Sequence, residues 1–316
     1  PVTFNIDITS PSKPTITTTF TNQVTSNIQP IMTGTAEANI TVNITQYISG
    51  GAFASSPSTN AVKTNPSGQW SYTGDYSDGQ TVTLNTNAID TAGNISASSS
   101  TVIFKVDTTQ PNVPTINTTF TNPNSVTNNA SPTITGIWNH LDTISTINIQ
   151  QILNNVTSSI TVTNKSTGTW SHQFSYSNGD SVTLNTHAID TAGNISASSS
   201  PVTFNIDTKA PNVPTINTTF PNPNSATNNA SPTITGVWNH LDAISTINIQ
   251  QTLNNVTSII TVSSKDKSTG TWSHNLSYSD GDSVTLNTHA IDTAGNISAS
   301  SSPVTFNIDT NHSAPV

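Results

Sequence analysis

The chain of 316 residues carries a formal net charge of −9, contains no cysteine, and has only 7% charged and 32% hydrophobic residues. Because basic residues are so few, the composition excludes a basic nucleic-acid-binding surface, and the absence of cysteine excludes stabilisation by disulfide bonds. The sequence has no apolar run of about 20 residues, so it predicts no membrane-spanning helix.

Three copies of one motif divide the chain. Asp-Thr-Ala-Gly-Asn occurs at 90–94, 190–194 and 292–296, and each copy is followed by a second Asp-Thr pair, at 107, 207 and 309. An internal repeat outranks other sequence signals, and a period of roughly 100 residues predicts three domains. We predict the last strand of a preceding repeat at 1–7, repeats at 8–107, 108–207 and 208–309, and the start of another linker at 310–316.

Each repeat is predicted to contain about seven short strands, described for the second repeat in chain order. Turn signals rich in asparagine, glycine and proline separate short alternating runs, and no segment has helical periodicity. The predicted strands A to G cover residues 114–120, 131–138, 144–153, 158–163, 169–175, 181–190 and 201–207. Seven strands in roughly 100 residues indicate an immunoglobulin-like β-sandwich. The predicted fold is therefore all-β, a tandem array of three such sandwiches arranged end to end.

The alternation within the strands predicts the core. The core positions predicted for the second repeat are Trp170, His172, Phe174, Tyr176, Val182, Leu184, Thr186, Ala188, Val202, Phe204 and Ile206. The tryptophans at 70, 170 and 272 are each expected to anchor one sandwich. His172 stands where the first repeat has Tyr72, so packing is favoured over catalysis at that position.

The aspartates fall at the ends of the predicted sandwiches. In this fold the BC, DE and FG loops share the pole where the chain enters, so the FG loop, which contains Asp-Thr-Ala-Gly-Asn, should face the preceding linker. The linker and FG-loop aspartates predicted to meet are Asp7 with Asp90, Asp107 with Asp190, and Asp207 with Asp292, while Asp309 lies at the last linker. The residues predicted to join the second and third junctions from the BC and EF loops are Asp142, Asp78, Asp242 and Asp180.

Carboxylates gathered in this way need a counter-ion. Two of them at about 4 Å repel by about 4 kcal/mol at an effective dielectric constant near 20. Ca²⁺ takes about 6–8 oxygen ligands, including carboxylates, carbonyls and amide oxygens, whereas Zn²⁺ would favour histidine or cysteine. We therefore predict calcium at the junctions. The alternative for the same residues is a hydrogen-bonded FG turn, in which the aspartate accepts bonds from its own loop.

The run Ala-Ile-Asp-Thr-Ala-Gly-Asn-Ile-Ser at 188–196, followed by Asp-Thr-Lys-Ala-Pro at 207–211, resembles the bacterial immunoglobulin-like repeats of giant type I-secreted (RTX-type) adhesins. The resemblance covers all three repeats. It implies calcium at the linkers, export across both membranes of a Gram-negative cell, and a role as an extender. The first repeat departs from the pattern because it lacks equivalents of Trp138 and Asp142.

We interpret the chain as a structural extender of a bacterial cell-surface adhesin, stiffened by Ca²⁺ so that a distal ligand-binding domain is held out for adhesion or biofilm formation. It is expected to be secreted and extracellular, to be monomeric, and to contact neighbouring repeats and, through a distant anchor, the outer membrane. No enzymatic activity, nucleic-acid binding or direct membrane insertion is predicted.

Two alternative functions remain open from the sequence. The first is an adhesive module that itself binds a carbohydrate or a host receptor, with Trp138 and Trp238 as the candidate contact residues. The second is an accessory module of a carbohydrate-active enzyme, which would require a catalytic domain elsewhere in a longer chain.

Overall fold

The computed structural model describes residues 3, 5–50, 55–118, 125–139, 141, 143–218 and 225–311. Over these residues the chain forms 26 strands in six sheets, together with one short 3-10 turn at Thr21–Gln23. The sheets form three pairs, so the predicted all-β fold of tandem immunoglobulin-like sandwiches is confirmed. Among the helices of these residues, none is long and apolar enough to span a membrane.

The strands follow one another as three sandwiches. The first contains β1 (Thr15–Ile16), β2 (Val24–Thr25), β3 (Ile31–Thr35), β4 (Thr41–Ser49), β5 (Ser55–Lys63), β6 (Gln69–Thr73), β7 (Thr81–Ile89) and β8 (Val102–Val106). The second contains β9 (Thr115–Ile116), β10 (Ser125–Thr127), β11 (Thr133–Ile137), β12 (Ile144–Leu153), β13 (Val156–Thr161), β14 (Asn164–Ser166), β15 (Thr169–Gln173), β16 (Ser181–Asp190) and β17 (Val202–Ile206). The third contains β18 (Thr215–Ile216), β19 (Ser225–Thr227), β20 (Thr233–Val237), β21 (Ile244–Leu253), β22 (Val256–Thr261), β23 (Ser264–Asp266), β24 (Thr271–Asn275), β25 (Ser283–Asp292) and β26 (Val304–Ile308).

Each sandwich pairs a smaller sheet with a five-stranded one. In the second sandwich the orders are β14-β15-β11-β9 and β10-β17-β16-β12-β13, and the third has the same arrangement. The first has β1-β3-β6 and β2-β8-β7-β4-β5. One pair in each five-stranded sheet is parallel, namely β2 with β8, β10 with β17, and β19 with β26.

The strand count differs from the predicted seven. In the described part of the second repeat, predicted strand A is followed by a separate strand, β10, which joins the other sheet; residues 119 and 120 of predicted strand A lie outside the described residues. Predicted strand D begins earlier, at Val156, directly after a two-residue turn at Asn154 and Asn155 with φ of 49° and 67°. Asparagine tolerates this left-handed backbone, which matches the twist of a tight hairpin.

Alternating residues of the strands fill the core, as predicted, except that His172 and Val202 of the predicted core are only partly buried. In β16 every second residue from Val182 onwards is buried, and Phe204 of β17 is fully buried against this row. Burying a side chain of this size contributes about 1.5–3 kcal/mol. Tyr176 packs edge-on against Phe204 with ring centroids 5.9 Å apart, and Tyr76 and Tyr278 make the same contact with Phe104 and Phe306.

The predicted tryptophan anchors are confirmed. Trp70, Trp170 and Trp272 are buried, and each is paired with a glycine on an adjacent strand of its sheet, in β3, β11 and β20 respectively. At Gly136 a β-carbon would lie 2.3 Å from the Trp170 indole and 1.9 Å from the backbone oxygen of Thr115. The absence of a side chain at Gly136 of β11 therefore leaves the space that the Trp170 indole occupies.

In each sandwich, a buried tyrosine that follows a strand of the smaller sheet donates a hydrogen bond to a glutamine of the five-stranded sheet. Tyr176 donates to Gln151 Oε1 at 3.1 Å, and both side chains are buried. The equivalent tyrosine donates to a glutamine in the first sandwich, Tyr76 to Gln46, at 2.7 Å. Burial raises the pKa of the Tyr176 hydroxyl, which therefore remains a donor across the physiological range.

Candidate functional site

The FG segment of each sandwich is fixed alongside strand F by serine side chains. In the second sandwich, Ser196 Oγ accepts the backbone amide of Ala188 at 2.9 Å, and Ser199 Oγ accepts that of Thr186 at 3.0 Å. An isolated bridge between Ile189 and Ile195 closes the turn. The Asn-Ile-Ser-Ala-Ser-Ser run after the motif therefore replaces a regular strand partner, and it holds the loop at the pole that faces the preceding linker.

A β-bulge lies in β12, on the strand that pairs with Asp190 of the FG turn. Ile144 pairs with Asp190, and the register then shifts before Thr146. The carbonyl of Ser145 within this bulge accepts the ammonium group of Lys165 at 2.5 Å. The bulge ends the regular pairing where the strand reaches the junction.

The FG aspartates accept hydrogen bonds within their own turns. Asp190 Oδ1 accepts the backbone amide of Asn194 at 2.8 Å, while Oδ2 accepts the side-chain amide of the same residue at 2.8 Å. Asp90 adds the backbone amide of Ala92 at 2.9 Å. The Asp190 side chain is only 5% exposed. The hydrogen-bonded turn considered as the alternative from the sequence is therefore present.

The same turns reach the linkers. The Asn194 side-chain amide donates to the backbone carbonyl of Asp107 at 2.7 Å as well as to Asp190, and Asn296 does the same for Asp207 at 2.7 Å. In the first repeat the contact from the equivalent asparagine to Asp7 is 3.1 Å. The predicted linker and FG-loop aspartates are thus brought together, and an asparagine lies between them.

The linker aspartates use their carboxylates for local turns. Asp107 Oδ1 accepts the amide of Thr109 at 3.2 Å, and Asp207 Oδ1 accepts the amide of Lys209 at 3.0 Å. Asp7 and Asp309 make the same contact two residues onwards. Because each of these bonds uses one carboxylate oxygen, lone pairs remain for another ligand.

The EF-loop aspartates make two different kinds of contact. Asp78 accepts hydrogen bonds from the backbone amide and the hydroxyl of Thr108 at 2.6 and 3.0 Å, so it attaches the linker to the preceding sandwich. Asp180 instead accepts Asn154 Nδ2 and the backbone amide of Ser177, both at 2.7 Å, within its own sandwich. At the third junction, between the second and third sandwiches, the residue that reaches the linker is Asn178.

Two clefts at the junctions collect the candidate ligands. A cleft of about 280 Å³ is lined by both Asp107 and Asp190, and another of about 280 Å³ is lined by Asp207, Asp242 and Asp292. Asp142, the BC-loop candidate at the first cleft, lies outside the described residues. Within the described ranges, no three acidic or histidine side chains are close enough to form a ready metal cluster.

Hydrogen bonds lower the pKa of several junction carboxyl groups. The side-chain amide of Asn94 is the main cause at Asp90, and the backbone amide of Thr108 is the main cause at Asp78. The pKa of Asp180 is lowered chiefly by a backbone amide of its own turn. Each of these groups is therefore ionised at neutral pH, as a cation site would require.

The family comparison covers one repeat. Residues 112–208, most of the predicted second repeat, match the family described as bacterial Ig-like domain. No curated protein sequence matches the chain.

Similar solved structures include animal and bacterial proteins. The FN1–FN3 domains of chicken CNTN1 are 13% identical, with a TM-score of 0.42, covering 94% of this chain and 98% of that one. A 1.5-MDa bacterial ice-binding adhesin is 20% identical, with a TM-score of 0.34 and coverages of 92% and 95%. A Ca²⁺-stabilised adhesin of an Antarctic bacterium is 19% identical, with a TM-score of 0.39 and coverages of 98% and 76%.

One set of residues was not predicted from the sequence. The asparagines that contact both a linker and an FG-loop aspartate are Asn94, Asn194 and Asn296. Their presence in all three copies of the motif was the available signal. Their partner, however, is a backbone carbonyl 87 residues earlier in the first two copies and 89 in the third, which no local pattern indicates.

Proposed function

We propose that the chain is an extender segment of a bacterial cell-surface adhesin, secreted to the outside of the cell, in which Ca²⁺ at the junctions strengthens the attachment of each sandwich to the next. A row of such sandwiches holds a distal adhesive domain away from the surface. Stability in repeat arrays is approximately the sum of the repeats and their interfaces, so the contribution of each junction is added along the array.

The observation that carries the proposal is the cleft shared by Asp107 and Asp190. Asp107 directly follows β8 of the first sandwich, and Asp190 ends β16 of the second. A cation held by both carboxylates would therefore connect two sandwiches. The same cleft recurs with Asp207 and Asp292, where Asp242 adds a third carboxylate to the lining.

The donor chemistry of these clefts fits calcium. The candidate ligands are carboxylate oxygens, and the described lining contains neither histidine nor cysteine. This is the ligand type that Ca²⁺ takes, and extracellular calcium modules work with dissociation constants of about 10⁻⁴–10⁻³ M. We assign Asp107 and Asp190 to one ion and Asp207, Asp242 and Asp292 to the other. The three carboxylates of the second site must move towards the ion when it binds, because they do not form a ready cluster in the described residues. Lys105 and Lys209 also line the clefts, and their charge weakens the attraction.

The other predicted residues take the same assignment by position. We propose that Asp7 and Asp90 form a further site, that Asp309 contributes to one with a following repeat, and that Asp142 joins the site at Asp107. Asp78 supports the site at Asp107 from the EF loop, because it holds the linker at Thr108. Asp180 bonds to Asn154 within its own sandwich, so we propose that it stabilises the EF loop beside the site at Asp207.

Calcium is expected to raise the melting temperature of the whole chain. With a dissociation constant of about 10⁻⁴ M, 2 mM free Ca²⁺ would stabilise the folded state by about 2 kcal/mol at each site. Circular dichroism melts in EGTA and in 2 mM CaCl₂ measure the shift, and 2 mM MgCl₂ is the control because Mg²⁺ requires a tighter octahedral site. Identical melting temperatures in EGTA and in CaCl₂ would contradict the calcium assignment.

The alternative of direct ligand binding gains no specific support from the aromatic residues. Trp238 is only 8% exposed and packs into its core cluster. Trp138 donates its indole N–H to the carbonyls of Ser166 and Thr169 at 3.2 and 3.3 Å. Both rings are therefore used within their own sandwiches.

A further inference from the structure

We propose that Asn194 and Asn296 are positioning residues that lock each sandwich to the one before it, through the backbone carbonyl of a linker aspartate, without any bound cation. The inference rests on the proposed extender role, since a lock between sandwiches matters only in an array. It does not rest on calcium, so the two can fail separately.

The linker aspartate is held from both sides. Its backbone amide belongs to the preceding sandwich, because Asp107 donates to the carbonyl of Thr25 at 2.9 Å, directly at the end of β2. Its backbone carbonyl belongs to the following sandwich, because it accepts the side-chain amide of Asn194 at 2.7 Å. Asp207 repeats this arrangement between Thr127 and Asn296. A single linker residue therefore connects two sandwiches.

The asparagine is preorganised for this contact. Asp190 accepts both the backbone amide and the side-chain amide of Asn194, each at 2.8 Å, and this carboxylate is itself buried. The side chain is therefore fixed before it meets the linker, so little rotamer entropy is lost when the contact forms. The side-chain amide of Asn194 donates to a carboxylate oxygen of Asp190 and to the backbone carbonyl oxygen of Asp107. Both oxygens carry negative charge, which favours the partly positive N–H groups between them.

Further contacts immobilise the linker on either side of this point. Asp78 of the first sandwich accepts the amide and hydroxyl of Thr108 at 2.6 and 3.0 Å. Thr186 of the second sandwich, which is fully buried, donates its hydroxyl to the carbonyl of Pro114 at 3.3 Å. The linker is thus attached to the preceding sandwich at its start and to the following sandwich at its end.

The tip of the FG turn also approaches the preceding sandwich. A β-carbon at Gly193 would lie 3.9 Å from Ser26 Oγ, and one at Gly295 would lie 3.5 Å from Asn128 Nδ2. Ser26 and Asn128 directly follow β2 and β10 of the preceding sandwiches. The asparagine therefore acts inside a contact between sandwiches and not in an isolated loop.

The test measures the spread of distances between two sandwiches. Because the chain has no cysteine, Thr59→Cys and Ser158→Cys introduce one spin label on an exposed position of each of the first two sandwiches. Double electron–electron resonance on the full chain in EDTA is expected to give a narrow distribution. Asn194→Ala and Asn194→Asp, which both remove the donor, are expected to widen it roughly twofold or more, because the linker becomes a hinge.

The controls separate a lock from ordinary loop stability. Ser196→Ala removes the hydroxyl bonded to Ala188 within the same FG segment but leaves the linker contact, so the distribution should stay narrow. Asn296→Ala acts at the next junction, so it should not change the distance distribution between labels at Thr59→Cys and Ser158→Cys. It should widen the distribution between labels at Ser158→Cys and Ser258→Cys. The second pair keeps the test decisive if Asn194→Ala unfolds its sandwich.

The outcomes are distinct. A broad wild-type distribution in EDTA, or donor-free variants as narrow as the wild type at both junctions, would overturn the lock. Adding CaCl₂ to the widened variants addresses the other proposal: narrowing on addition supports the calcium assignment, and no change counts against it whatever the result in EDTA.

Discussion

Replacing Gly136 with alanine is expected to lower the free energy of unfolding of the second sandwich by about 3 kcal/mol, although it adds a single methyl group. The new β-carbon would lie 1.9 Å from the backbone oxygen of Thr115 and 2.3 Å from the Trp170 indole. Neither neighbour can rotate away, because one is backbone and the other is a fully packed ring. Urea unfolding, with hydrogen exchange of peptides covering β11 and β15, measures the loss.

Gly179→Ala in the same sandwich is the matched control. Gly179 has a φ of 89° and nothing within 4 Å of a β-carbon, so alanine there meets backbone strain but no clash. That strain costs about 1–2 kcal/mol. If the two variants were equally stable, or if protection of β11 were unchanged in Gly136→Ala, the glycine would not be the space left for the indole.

Asp107→Ala is expected to remove the calcium-dependent stabilisation of its junction while changing the metal-free stability by less than about 1 kcal/mol. Its carboxylate accepts a hydrogen bond from Thr109 at 3.2 Å, and its backbone carbonyl, which Asn194 contacts, is kept in the variant. The substitution therefore removes a proposed calcium ligand and leaves the asparagine contact in place. Denaturation in EGTA and in CaCl₂ separates the two effects.

Asp190→Ala is the paired variant with a larger expected effect. It leaves the two donors of Asn194 without their buried acceptor, which costs about 2–3 kcal/mol even in EGTA, and it also removes a proposed calcium ligand. If Asp107→Ala retained the full calcium effect, Asp107 would not be a ligand. If Asp190→Ala were neutral in EGTA, the turn would not depend on its carboxylate.

The sequence was sufficient to predict most of the core and the meeting of the linker with the FG loop. Alternation in strand F and the tryptophan at the start of strand E have a direct physical cause, since one face of each strand must be buried. The FG motif could be placed opposite the preceding linker because sandwich topology decides which loops share a pole. Asp107 and Asp190 accordingly line one cleft.

The rest depends on contacts between distant segments. The strand β10 pairs in parallel with β17 almost 80 residues later, and a parallel pair has no turn signal of its own. The contact of Asn194 could not be predicted, because its partner is a main-chain carbonyl, which every residue carries. In the EF loop, Asn178 and Asp180 lie two positions apart, and only the structure shows which of them contacts the linker.

The most direct measurement is anomalous diffraction from crystals of the whole chain grown with millimolar CaCl₂. We expect a calcium peak at both junctions, about 2.3–2.6 Å from oxygens of Asp107 and Asp190 at one and of Asp207 and Asp292 at the other. Crystals in which these carboxylates face solvent, with no peak between them, would contradict the role of calcium as the bond between sandwiches.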